Sequence, residues 1–112
     1  MLRYWLIPAL ALLASDPRAQ RTIRVPGDSP TIQTALDSAT ALDTVLVAPG
    51  TYRENIRFNG RATILRSEAG PHHTTIDGSG QRTSVVIFNQ REPRGAILEG
   101  FRIRGGNARE GG

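Results

Sequence analysis

The chain has 112 residues and no cysteine, enough for one small domain whose stability must come from packing and backbone pairing rather than disulfides. All 14 basic residues are arginine and, against 10 acids, they leave a formal net charge of +4. The arginines are scattered, which excludes the clustered basic signature of a nucleic-acid binder and leaves polyanionic sugars as compatible partners.

In chain order the first element is a leader. Arg3 gives a positive start, Leu6 to Ala14 form an apolar run broken only by Pro8, and Ser15 and Ala19 are small residues suited to cleavage. This is the layout of a secretory signal peptide. The run is shorter than the roughly 20 residues a spanning helix needs. Pro8 and the polar SDPRAQ stretch argue against the alternative of a buried N-terminal helix. Cleavage is expected after Ala19, with Ser15 as the alternative. The expected product is secreted, periplasmic or extracellular, with no membrane span once the leader is removed. Residues 20–112 carry 12 Arg against 9 acids, a net charge of +3. They keep Tyr52, Phe58, Phe88 and Phe101 as the aromatic residues, too few for a sugar-stacking platform.

Thr22 to Val25 reads as a short strand, broken by Pro26, Gly27 and Asp28. Ser29 is the expected N-cap of a helix with Pro30 at its first position. Ile32, Ala35, Leu36 and Ala39 then make one apolar stripe, with Gln33, Asp37 and Ser38 facing water. The helix is expected to end between Thr40 and Asp43. Thr44 to Ala48 is apolar on both faces, the pattern of a strand covered on each side. Pro49-Gly50 turns the chain. Asn55-Ile56-Arg57-Phe58 alternates strictly, which predicts one dry and one wet face, and Asn59-Gly60 closes the segment.

A repeat follows. Val45, Ile64, Val85 and Ile103 recur at spacings of 19, 21 and 18, and Ile56, Ile76 and Ile97 at 20 and 21. Two series with one period predict a coil of parallel strands, in which each turn buries its aliphatics by stacking on the next. A meander of antiparallel hairpins is the alternative. It needs tight turns between consecutive strands, and the segments match better at one full period than with their immediate neighbours. The first turn of a coil has nothing beneath it. The apolar stripe of Ile32, Leu36 and Ala39 is therefore read as a cap over that end. The fold class is mostly β, a parallel β-helix with a short capping helix. Residues 1–19 are the leader, 20–43 the first strand and cap, and 44–112 the first turns.

The segments TIQTALDSA, DTVLVAPGTYRENI, GPHHTTIDGSG and LEGFRIRGG resemble the opening section of the right-handed parallel β-helix superfamily, the pectin-lyase-like fold, over about residues 22–106. TIQ-x-AL and PGTY-x-E are also similar to the opening of pectin methylesterases. The resemblance implies the non-catalytic cap and first coils of a secreted β-helix protein, truncated relative to full-length members. The parent would be an acidic-polysaccharide lyase or esterase. In those branches the acting residues come from later turns, so no catalytic position is carried onto this chain. No cofactor is expected here; the resemblance leaves open whether a full-length parent uses calcium. The alternatives are a non-enzymatic surface β-helix that binds, or a fragment without activity.

Four places in the sequence carry residue types that could do chemistry. His72-His73 follow Gly70-Pro71 and point opposite ways in extended backbone, which suits a solvated loop better than a metal site. Asp77 precedes Gly78 and reads as an Asx turn rather than one half of an acid pair with Glu68. Glu54 reads as a hydrogen-bond acceptor within the first turn. Arg102 and Arg104 alternate with Phe101 and Ile103, so both project from one wet face about 7 Å apart. Beside Arg57 or Arg66 on a stacked turn they would form a carboxylate-binding rail, and they are the candidate substrate-binding residues.

Overall fold

A computed structural model describes residues 20–80, 83–88 and 91–106, so the expected leader over 1–19 lies outside the described residues. The chain winds as a parallel β-solenoid of about three turns. After β1 (Thr22–Val25) and the helix α1 (Ile32–Ser38), the first coil holds β2 (Thr44–Val47), β3 (Gly50–Tyr52) and β4 (Ile56–Arg57). The second coil holds β5 (Ile64–Ser67), β6 (Thr74–Asp77) and β7 (Val86–Ile87), and the third holds β8 (Ile97–Glu99) and β9 (Arg102–Arg104). Corresponding strands stack into three sheets ordered β1-β2-β5-β8, β3-β6-β9 and β4-β7, and every pairing is parallel. The meander is thereby excluded. Among the described residues no helix is long and apolar enough to cross a membrane.

The coil is as expected, but its period is not constant. In the first sheet Ile23, Val45, Leu65 and Leu98 stack, at steps of 22, 20 and 33 residues. In the second, Tyr52, Ile76 and Ile103 stack at steps of 24 and 27. In the third, Ile56 lies beside Val86, a step of 30. Ile56, Ile76 and Ile97 therefore do not line up; each belongs to a different sheet. Ile64 is the lateral neighbour of Thr44 and Ile97, not of Val45. The regular spacing mixed strands of different sheets, because each side of a coil contributes inward aliphatics and the corner loops differ in length.

The dry interior holds Ile23, Val25, Val45, Val47, Ile56, Phe58, Leu65, Ile76 and Val85, with Ile32, Ala35, Leu36 and Ala39 of the helix. Alternation in Asn55 to Phe58 is as read, with Ile56 and Phe58 buried and Arg57 exposed. In β2 the expectation of two covered faces fails. Val45 and Val47 are buried, but Thr44 and Leu46 are half-exposed, because among the described residues no element covers the outer face of the first sheet there. Phe58 stacks on Phe88 at a centroid distance of 4.3 Å, continuing the third side into an aromatic pair.

The helix begins later and ends earlier than expected. Thr31, not Ser29, is the N-cap: its hydroxyl accepts from the Thr34 amide at 3.1 Å, and the Thr34 hydroxyl accepts from the Thr31 amide at 3.3 Å. Ser29 instead sits in a turn, its amide donating to the Arg24 carbonyl. At the far end Ala39 is the C-cap, already in extended conformation. The predicted stripe is right: Ile32, Ala35, Leu36 and Ala39 are fully buried against the first coil.

Candidate functional site

Two places collect polar side chains, the seam between helix and first coil and the outer face of the second sheet. At the seam, Glu54 receives the helix. Its Oε2 accepts from the Ile32 amide at 2.8 Å and its Oε1 from the Gln33 amide at 3.0 Å, so one carboxylate satisfies two unpaired donors of the first helical turn. The side chain of Gln33 then behaves as a short strand. Its Oε1 accepts from the Arg57 amide at 2.8 Å and its Nε2 donates to the Arg57 carbonyl at 3.1 Å. This occupies the free edge of β4, below which the third sheet has no strand among the described residues. The helix end is tied by Asn59 Nδ2, which donates to the Leu36 carbonyl at 2.6 Å, and by Arg61 Nη1, which donates to the Ala39 carbonyl at 2.6 Å.

Glu54 has the structural role its sequence context predicts. Gln33, expected to face water, is not legible as an edge cover because the unpaired edge it covers exists only after folding. Asp43 is likewise not singled out by the sequence. This fully buried carboxylate accepts from the Arg21 amide, Nε and Nη2 and from the amide and hydroxyl of Thr40, at 2.9 to 3.2 Å. Burial pushes its pKa up, and the Thr40 and Arg21 donors outweigh that and hold it below the ordinary value. The Tyr52 hydroxyl donates to the Ala48 carbonyl at 2.8 Å, and burial, then the charges of Glu54 and Glu68, raise its pKa and keep that donor protonated.

On the outer face of the second sheet, Arg102 lies beside Thr75, which lies beside Thr51. Arg104 lies beside Asp77 and clasps it, with Nε at 3.1 Å and Nη2 at 3.0 Å from Oδ2. The other oxygen of Asp77 accepts from the Ser79 amide at 2.9 Å, the expected Asx turn. The Ser79 hydroxyl and amide, followed by Arg104, lower the Asp77 pKa to about 2. Glu68 faces Arg24 at 3.7 Å instead of Asp77, so the two acids do not form a pair. Arg57 sits in the third sheet, and Arg66 in the first, where it pairs with Glu99. Neither joins Arg102 and Arg104, so the expected rail with Arg57 or Arg66 does not assemble. Arg102 and Arg104 do share one outer face, and Arg53 follows Tyr52 at the border of the same sheet. His72 and His73 are exposed in the loop before β6. Among the described residues no three metal-binding side chains come together.

No family model matches the chain, and no curated protein or solved structure is detectably similar to it.

Proposed function

We propose that this chain is an exported, capped β-helix module of the pectin-lyase-like kind that binds acidic polysaccharide without transforming it. The observation that carries this reading is the outer face of the second sheet. Exposed Arg102 stands there next to the hydroxyl pair Thr75 and Thr51, and Arg104 is fixed in place by Asp77. A guanidinium matches the planar carboxylate of a uronate sugar, and threonine hydroxyls suit its ring hydroxyls. A binding role is favoured over catalysis by how the acids are used. Asp43, Glu54 and Asp77 each commit both oxygens to structural hydrogen bonds, which leaves none of the three poised for proton transfer.

The test is equilibrium binding of polygalacturonate to the protein and to Arg102→Ser, a change that leaves the Asp77–Arg104 clasp intact. Affinity is expected to fall about tenfold, and binding of the unchanged protein to weaken as salt is raised. Equal affinity of the two proteins overturns the reading.

A further inference from the structure

Asn59-Gly60 is the only place in the chain where an asparagine precedes a glycine. The pair lies at the corner between β4 and β5, against the end of α1. Such a pair is open to deamidation, because glycine has no side chain to shield its backbone nitrogen from the neighbouring amide. Here the folded chain restrains both reacting groups. Asn59 Nδ2, the amine that would leave, donates to the Leu36 carbonyl at 2.6 Å. The Gly60 nitrogen, the atom that would attack, donates to Glu92 Oε2 at 2.9 Å. A carboxylate at that distance opposes loss of the proton that attack requires. Asn59 Oδ1 is buried and accepts no hydrogen bond from the described residues. The site therefore offers a carbonyl to a donor and offers no donor to an acceptor, so it suits an amide and not an acid.

We infer that Asn59-Gly60 is a modification site gated by the helix: deamidation is held back while α1 is docked, and once it occurs it keeps the helix from docking again. When the helix end opens, the Gly60 nitrogen gives up its proton to solvent and attacks Asn59 Cγ. The Cγ–Nδ2 bond breaks and ammonia leaves, which closes a succinimide. Water then opens the ring. Breaking the new nitrogen–Cγ bond gives aspartate; breaking the original peptide bond gives isoaspartate, with one more methylene in the main chain between β4 and β5. In either product a carboxylate replaces the Nδ2 donor. An aspartate there would face the Leu36 carbonyl with like partial charge, and its other oxygen would be buried without a donor. The last turn of α1 would lose that tie, leaving Arg61 to hold Ala39 alone. The site is separate from the outer face of the second sheet, and the inference stands without the polysaccharide reading.

The test follows conversion at Asn59 by mass-spectrometric peptide mapping of the full chain, folded in buffer and unfolded in urea at the same pH and temperature. The folded chain is expected to convert at least about tenfold more slowly, since reaction waits on local opening. Arg61→Ala removes a helix tie and touches neither reacting atom. It should raise the folded-state rate about threefold or more and leave the unfolded-state rate unchanged. Glu92→Ala, which frees the Gly60 nitrogen, should also speed the folded-state reaction. Circular dichroism before incubation establishes that each variant is folded. Asn59→Asp, which carries the aspartate product from the start, should have a lower urea midpoint than the unchanged protein. Equal rates in the folded and unfolded chain, folded variants that convert no faster than the unchanged protein, or an unaltered midpoint in Asn59→Asp would each overturn the inference.

Discussion

Asp43 and Asp77 are carboxylates turned into structural acceptors, one beneath the first coil and one between the second and third. Neither is exposed enough to be read as a surface charge, at 1% and 4% of its accessible area. Each is ionised in the folded chain below the pH at which a free aspartate protonates. Ser79, then Arg104, hold Asp77 at about 2 against an ordinary 3.8. An acid whose folded pKa is depressed stabilises the fold at pH above its unfolded value. That contribution is lost as the pH falls towards the folded value. The urea midpoint is therefore expected to hold above about pH 4 and to decline between about 3.8 and about 2. In Asp77→Asn the decline should be shallower. An unchanged slope in that variant would remove Asp77 as a source. Asp77 was legible as a turn residue from Asp-Gly, but the Arg104 clasp, 27 residues away, was not. Asp43 was not legible as a buried acceptor: Thr40 is a local donor three residues before it, but Arg21 is brought to it only by the stacking of β1 on β2.

At the level of elements, the helix is the feature that begins the coil. Seven residues are too few for a stable helix in water, so its order comes from contacts. Ile32 and Leu36 each contribute roughly 1.5–3 kcal/mol by burial, and Glu54, Gln33, Asn59 and Arg61 lash its length to the first coil. Leu36→Asp places a charge at a fully buried position and uncovers the stack. The expected outcome is loss of several kcal/mol of stability and aggregation, seen by light scattering. A folded, monodisperse Leu36→Asp protein would contradict the capping role. The stripe was readable because a helical period needs only local residues. The helix start was misplaced because Ser29-Pro30 satisfies every local rule. The Thr31–Thr34 capping box and the distant Glu54 decide where the first turn forms. The motif words TIQ and PGTY-x-E acquire a physical meaning here, since Gln33 and Glu54 are two halves of one seam.

For the whole molecule, stability grows by stacking, and each coil is held by its neighbours. Among the described residues, β2 and β5 have a strand on both sides, whereas β8 and β9 have one. Hydrogen exchange at dilution should therefore be slowest at the amides of β2 and β5 and fastest at β8 and β9. Faster exchange in β2 than in β9 would count against stacking as the source of order.

The stacking itself comes close in places. Gly100 has φ +85°, and a Cβ there would sit 2.4 Å from Ser67 Oγ in the coil below. The inward row Val25, Val47 and Ser67 narrows to a glycine because the corner leaves no room for more.

By itself the sequence determined that strands would lie in parallel coils with an amphipathic helix at the start, since side-chain alternation and helical spacing are properties of neighbouring residues. Only the tertiary structure decided which aliphatics stack, which arginines share a face, and which acids are consumed. Those depend on loop lengths at the corners, and a corner of a few residues more or less moves every later strand to a new partner without changing its local pattern.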